Sequence, residues 1–281
     1  MTKQHFPVLD LSTMSDTRDA LHSYSRVLGA WCKFCHPRRK HWWHASLRPS
    51  LSGMTTGIIH SGVDIELELK LSESSLVGRN SNGEKMVEKL VGQPASTLSS
   101  VIQEFMLVSG VNENNIPELP GNNDSSFRGY SIEHAHRFGR AINAVGGALD
   151  LFRGSIPEET SPIQLWPHHF DLSMLWLPGE KIPGQDPGNE EYSDKQMNFG
   201  FTFGDDSINE PYFYVTAYPL PDTLSKLPLP AGAQWRSEGF SGAVVLYGDL
   251  LKHADPKTYL VNLWSHLLAS GREQMLTSTV R

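Results

Sequence analysis

The hydrophobic positions of this chain switch repeatedly between a spacing of three or four residues, typical of helices, and a spacing of two, typical of strands. The first run at the helical spacing predicts an amphipathic helix over 16–35, which the proline at position 37 ends. The buried face of this helix is expected to consist of Leu21, Tyr24, Leu28, Trp31 and Cys35.

From residue 41 the spacing falls to two, and strands are predicted over 41–50, 54–59 and 63–71. The last of these alternates hydrophobic with charged residues, as a strand does when one face of an antiparallel sheet is exposed to water. The next segments are predicted to be a polar loop over 72–84, a strand over 85–91 and a helix over 96–109.

The same order of elements recurs after 112–129, a stretch rich in Asn, Pro and Gly that predicts a boundary. The fold class predicted is therefore α+β, with two similar helix–meander–helix halves, 1–120 and 121–281, and mostly antiparallel sheets. We expect the halves to derive from an internal duplication and to pack as one compact unit. In the second half, a helix is predicted over 135–152, strands over 163–177, 197–203 and 211–218, and a last helix over 256–276.

Composition and charge narrow the classes of function. The chain has 281 residues and a formal net charge of −7, whereas nucleic-acid binding needs a concentrated basic surface, so no nucleic-acid partner is expected. No segment reaches the roughly 20 consecutive apolar residues of a membrane span. The first residues also lack the pattern of a signal peptide. The sequence therefore predicts a cytoplasmic protein without a membrane partner, and it makes no prediction of oligomeric state.

Cys32 and Cys35 are the only cysteines of the chain. Their CxxC spacing suits a redox or metal half-site, but they lie near the end of the predicted first helix and no second pair accompanies them. We expect two reduced, half-buried helix residues.

Two stretches that contain histidine are the candidates for chemistry, namely HWWH at 41–44 and PHHFD at 167–171. Side chains alternate across a strand. If both stretches are strands, His44 starts a polar row on one of them, and His169 and Asp171 lie on a matching row of the other. The hypothesis is that the two rows converge at the junction of the halves.

A divalent metal such as zinc or iron would suit that convergence. His44, His169 and Asp171 form a set of two histidines and one carboxylate, which are ligands that such metals accept. His41 or His168 would be a further ligand.

Two interpretations without a metal stay open beside it. In one, Asp171 orients His169 as a general base and Arg48 holds an anionic substrate, which would make these residues catalytic and substrate-binding. In the other, the histidines are structural and Asp171 pairs with Arg48.

We expect the site to take a small polar molecule, in an enzyme or in a binding protein. Trp42, Trp43 and Trp166 are the candidates for its walls. Two alternatives belong to other classes. One is a non-catalytic ligand-binding module with an aromatic pocket on the tyrosine-rich strand 211–218, where Tyr214 would contact the ligand. The other is an interaction protein whose histidines are structural.

Six segments together resemble an uncharacterised bacterial family that is defined only as a domain of unknown function, DUF5996. The resemblance implies one continuous fold and draws attention to His41 and His44, because HWWH is typical of the family. Many members have no histidine at the position of His169, retain Asp171, and carry a histidine where this chain has Gln164. The segments are FPVLDL, HWWHASLRPSLSGMTTG, VDIELELKL, HRFGRA, SPIQLWPHHFDL and YFYVTAYP.

Overall fold

The computed structural model describes residues 6–112, 116–118 and 125–277. Within them the chain forms helices and two mostly antiparallel sheets, which confirms the predicted α+β class. The residues group into two compact units. The amino-terminal unit comprises the described residues of Leu9–Asn143 and Gln164–Phe170. The carboxy-terminal unit comprises the described residues of Met1–Val8, Ala144–Ile163 and Asp171–Arg281.

The division into halves 1–120 and 121–281 and their origin by duplication stay predictions. The point of division lies outside the described residues, which omit 119–124. Among the helices that the structure describes, none is long and apolar enough to cross a membrane.

The amino-terminal unit contains a five-stranded antiparallel meander in the order β1-β2-β3-β4-β5. The predicted strand over 63–71 and the predicted helix over 96–109 are both confirmed. In chain order the unit consists of α1 (Leu11–Cys35), a 3-10 helix (Lys40–Ala45), β1 (Arg48–Pro49), β2 (Gly53–Ser61), β3 (Val63–Lys70), β4 (Ser75–Asn80), β5 (Lys85–Lys89), α2 (Ala95–Val108) and the first part of α3 (Ile132–Arg153), and the segment 164–170 adds β7 (Gln164–Trp166).

Helix α1 is longer than the sequence pattern predicts, because it begins at Leu11 rather than near residue 16. The carboxylate of Asp10 accepts the backbone N–H of Ser12 at 3.0 Å, which caps the first turn. The predicted apolar face is confirmed, since Leu21, Tyr24, Leu28 and Trp31 are all fully buried.

The prediction of a loop over 72–84 is wrong, because this segment contains strand β4. Its serines, asparagines and glycines gave it a polar composition, but Leu76 and Val77 at its centre are buried. Leu76 pairs directly with Leu69 of β3. The strand therefore forms because it pairs with β3. The mean polarity of the thirteen residues 72–84 does not reveal this pairing.

The carboxy-terminal unit is built on a sheet in the order β11-β12-β10-β9-β8-β6, with every pair antiparallel. Rings of Phe152, Phe199, Phe213 and Trp264 form part of its core. Besides the end of α3, the unit consists of β6 (Glu159–Thr160), β8 (Asp171–Leu177), α4 (Glu190–Ser193), β9 (Gln196–Thr202), β10 (Tyr212–Tyr218), a 3-10 helix (Leu224–Lys226), β11 (Ala233–Arg236), β12 (Gly242–Leu246), α5 (Tyr247–Leu250) and α6 (Pro256–Thr277).

Candidate functional site

The HWWH motif lies in the 3-10 helix Lys40–Ala45, so the prediction of a strand over 41–50 is wrong except for the two residues of β1. Local hydrogen bonds close this turn. The backbone N–H of Arg39 donates to Nδ1 of His44 at 3.2 Å, and the Ser46 hydroxyl donates to the carbonyl of Trp43 at 2.9 Å. Side chains that form hydrogen bonds with nearby backbone groups compete with the backbone pairing of a strand. The alternating hydrophobic pattern therefore predicted a strand where a turn forms.

The backbone of this motif is strained at two consecutive residues. His41 has a φ of 49° and Trp42 a φ of 58°, a left-handed conformation that costs residues other than glycine about 1–3 kcal/mol each. The four rings form two stacked pairs, His41 with Trp43 and Trp42 with His44. Trp42 is left 47% exposed. Such strain concentrates at functional sites, so it marks Trp42 as a candidate contact for a ligand.

The second motif is also interrupted. Strand β7 ends at Trp166, and the backbone N–H of Phe170 donates to the Trp166 carbonyl at 2.8 Å, which closes a turn over 167–170. Phe170 has a φ of 54°, and the turn exposes His168 and His169. The prediction of a single strand over 163–177 is therefore wrong. Because a turn separates His169 from β8, strand alternation does not place His169 and Asp171 on the same face.

The two motif segments nevertheless meet inside the amino-terminal unit. Leu47 and Leu165 exchange both backbone hydrogen bonds at 2.9 Å. The amide of Gln164 donates to the Ser46 hydroxyl at 2.5 Å and to the Trp43 carbonyl at 3.1 Å. Gln164 thus holds the second segment to the 3-10 helix.

A pocket of about 380 Å³ lies where these segments face helix α1, and we call it the indole pocket. The helix contributes four residues at the helical spacing, and the two motif segments contribute the rest. Its lining consists of Arg26, Gly29, Ala30, Lys33, Trp42, Ala45, Trp166, Pro167 and His168.

The charge around the indole pocket is positive. No Asp or Glu occurs between positions 20 and 63 or between 164 and 170, although the whole chain has a net charge of −7. The lining described above therefore has cations at Arg26 and Lys33 and no acidic side chain. Lys33 and Arg38 each place their charge over the Trp42 ring, at 5.7 and 5.5 Å from its centroid.

The histidines near the pocket favour their neutral forms. Partial burial, together with the neighbouring His169 and His22, lowers the pKa of His168 to about 4. Burial also lowers the pKa of His44, to which the charges of Arg38 and Lys33 add. His168 therefore offers the pocket an uncharged imidazole near neutral pH.

We expect His168 to make the protein less stable in acid. Its pKa is lower in the folded than in the unfolded chain, where it is about 6.5, so the unfolded chain binds more protons as the pH falls from about 6.5 to about 4. His168→Gln should therefore reduce the loss of unfolding free energy between pH 7 and pH 4.5 and leave stability at pH 8 nearly unchanged. Solvent screening at this exposed residue keeps the effect modest.

Urea denaturation at a series of pH values measures this effect. Parallel stability curves for wild type and His168→Gln would contradict the assignment.

Asp171 lies in the carboxy-terminal unit, where it begins β8 and is only 7% exposed. Its carboxylate accepts the hydroxyl proton of Tyr214 from β10. Burial, together with the charge of Asp171, raises the pKa of Tyr214 well above its usual range, so Tyr214 remains a donor. This contact favours a structural role for both residues and gives Asp171 a partner other than the predicted Arg48.

The remaining predicted residues lie outside the lining of the indole pocket. Arg48 lies in β1, and its guanidinium is next to Gly57 of β2, while Trp43 is half-buried beneath Lys40. Within the part of the chain that the structure describes, no group of three or more His, Cys, Asp or Glu residues has an arrangement that could hold a metal ion. Metal binding by His44, His169 and Asp171 stays a prediction, and so does catalysis by them.

The cysteines are free thiols, as expected. Cys35 is half-buried as predicted, whereas Cys32 is fully buried. Burial raises the pKa of both thiols, and that of Cys35 to about 11. Both are therefore poor nucleophiles at neutral pH.

Sequence reasoning missed the α1 side of the pocket. Arg26, Gly29, Ala30 and Lys33 follow the spacing i, i+3, i+4, i+7, and so share one helix face. The sequence does contain a signal for this face, namely two small residues between two cations at the helical spacing. Hydrophobic periodicity alone does not reveal this face, because it marks only the apolar positions of the helix.

Comparison with protein families found a match, whereas comparison with curated proteins and with solved structures found none. The match is to the model of a family of unknown function, DUF5996, over residues 6–273. It includes all the elements that build the indole pocket and the Asp171–Tyr214 contact. The chain therefore belongs to the DUF5996 family.

Proposed function

We propose that the amino-terminal unit binds a small organic anion in the indole pocket. The observation that carries the proposal is the composition of the lining, in which two tryptophans and two cations surround a pocket of about 380 Å³ without an acidic side chain. Pockets of a few hundred Å³ with mostly apolar walls and a few placed polar groups are typical of small-molecule sites. A cytoplasmic location is part of the proposal and is supported by the sequence alone.

The strain at His41 and Trp42 supports the same conclusion. The folded chain holds an exposed indole at the pocket in a conformation of high energy. The indole contributes apolar area to a bound molecule, and the lysine and arginine around it attract negative charge.

The test compares 2-naphthoate with the uncharged 2-naphthamide, which has nearly the same shape. We expect the anion to bind about fivefold more tightly, because an ion pair at a partly exposed site contributes about 1 kcal/mol. Trp42→Ala should weaken the binding of both ligands by about fivefold, because it removes apolar contact area. Replacing Arg26 and Lys33 together by glutamine should abolish the preference for the anion.

Isothermal titration calorimetry measures these affinities, and two variants serve as controls. Phe34→Ala removes an aromatic ring that is 49% exposed on the same helix but outside the pocket. Arg140→Gln removes an exposed charge elsewhere in the unit. The proposal is wrong if neither ligand binds, or if the controls weaken binding as much as the pocket variants do.

A further inference from the structure

The two cations of the indole pocket are far apart along helix α1. Arg26 and Lys33 are separated by seven residues, which corresponds to about 10.5 Å along a helix that rises 1.5 Å per residue. Between them the helix contributes Gly29 and Ala30 to the lining, and the Pro167 ring packs against Gly29 as one wall of the trough that separates the cations. The trough is therefore longer than a single carboxylate or phosphate group.

The charged groups at the two ends have different neighbours. Lys33 places its ammonium 5.7 Å from the centre of the Trp42 ring, where Arg38 also lies. At the other end, the charge of Arg26 lowers the pKa of His22, after the larger effect of burial. His22 lies within 3.3 Å of the carbonyl of His168. The two cations thus have different surroundings, with Lys33 at the Trp42 ring and Arg26 seven residues before it on the same lining face of the helix.

The part of the pocket between these ends is apolar and aromatic. Trp42 and Ala45 line it from the 3-10 helix, and Trp166 and Pro167 line it from the second segment. A flat ring system fits these walls better than a flexible polar chain does, because indole faces favour stacking.

We propose that the ligand of this pocket is an elongated, flat dianion, with one anionic group at Arg26, the other at Lys33, and its rings between Trp42 and Trp166. This inference depends on the proposed binding of an organic anion and adds the number and spacing of its charges. Carboxylates and phosphoryl groups share the required chemistry, since both accept hydrogen bonds from guanidinium and ammonium groups.

The experiment compares naphthalene-2,6-dicarboxylate with 2-naphthoate by isothermal titration calorimetry on the full chain. Both have the same two rings and differ by one carboxylate. We expect the dianion to bind wild type about fivefold more tightly. Arg26→Gln alone and Lys33→Gln alone should each remove that advantage, whereas Arg140→Gln should leave it unchanged.

Length and anion type provide further comparisons. The carboxylates of terephthalate are closer together than those of naphthalene-2,6-dicarboxylate. The ratio of the affinities of terephthalate and benzoate should therefore be smaller than the ratio for naphthalene-2,6-dicarboxylate and 2-naphthoate. The monophosphate ester of 6-hydroxy-2-naphthoate tests whether a phosphoryl group replaces one carboxylate with equal effect. A melting curve for each variant confirms that these exposed substitutions leave the fold intact.

The outcomes separate the two proposals. If 2-naphthoate binds as tightly as the dicarboxylate, or if only one of the two cations matters, the ligand is a monoanion and this inference is overturned, while anion binding stands. If no anion binds more tightly than its neutral analogue, the proposed function fails as well. If the dianion advantage requires both Arg26 and Lys33, the inference is supported.

Discussion

Gly200→Ala should destabilise the carboxy-terminal unit by about 3 kcal/mol, through overpacking of a filled core. Gly200 lies in β9, opposite Tyr214 on one side and Ser173 on the other. A Cβ at this position would lie 2.2 Å from Cζ and 2.4 Å from the hydroxyl oxygen of Tyr214. The tyrosine ring crosses over this glycine to reach Asp171 on β8.

The added methyl group should therefore displace the ring and break the Tyr214–Asp171 hydrogen bond. The loss of this hydrogen bond to the buried Asp171 carboxylate adds to the cost in unfolding free energy. Urea denaturation followed by tyrosine and tryptophan fluorescence measures the loss.

Gly248→Ala is the matched control, because Gly248 is an exposed helical glycine with no atom within 4 Å of an added Cβ. It should be neutral or stabilise by about 0.5–1 kcal/mol. Tyr214→Ala should cost less in the Gly200→Ala background than in wild type, because the clash is then already present. Equal stability of Gly200→Ala and Gly248→Ala would contradict the close approach of the ring.

Gly29→Ala should lower both stability and ligand binding, although the same change usually stabilises the interior of a helix by about 1 kcal/mol. An added Cβ would lie 2.5 Å from Cγ and 2.7 Å from Cβ of Pro167. The proline ring is rigid and cannot rotate away. We expect a loss of about 2 kcal/mol and displacement of the segment 164–170, which forms one wall of the indole pocket.

Calorimetry with naphthalene-2,6-dicarboxylate and urea denaturation measure the two effects on the same protein. Gly146→Ala in α3 is the control, since its nearest atom would be Leu172 Cδ2 at an ordinary 4.0 Å. Pro167→Gly added to Gly29→Ala should recover part of the stability, because it removes both clashing atoms. Full ligand affinity in Gly29→Ala would show that the position of this wall does not matter for binding.

The elements that could be predicted from the sequence are those in which the hydrophobic periodicity of the segment matches the positions that the structure buries. Strand β3 alternates over its whole length, and Ile65, Leu67 and Leu69 are buried as the pattern requires. Helices α1 and α2 have apolar stripes long enough to define their period. Strand β4 could not be predicted, because its burial depends on pairing with a neighbouring strand rather than on its own composition.

The site was only partly predictable. Trp42, Trp166 and His168 line the pocket, so attention to the two histidine motifs was useful. The strand alternation used to connect them was wrong, because four aromatic residues in a row do not distinguish a strand from a turn. The left-handed conformations at His41, Trp42 and Phe170 arise from surrounding contacts, which the sequence of a short motif does not show.

The placement of 164–170 within the amino-terminal unit has a consequence for biosynthesis. During translation, the first 143 residues are synthesised before Gln164, which lies about twenty residues further along the nascent chain. The amino-terminal unit therefore lacks strand β7 until the segment 164–170 has been synthesised. Until Phe170 has left the ribosomal exit tunnel, Gly29 and Ser46 lack the partners Pro167 and Gln164. A gene fragment that stops after residue 143 should therefore give an aggregation-prone product, and a synthetic peptide spanning 160–172, supplied in trans, should bind to it and improve its solubility.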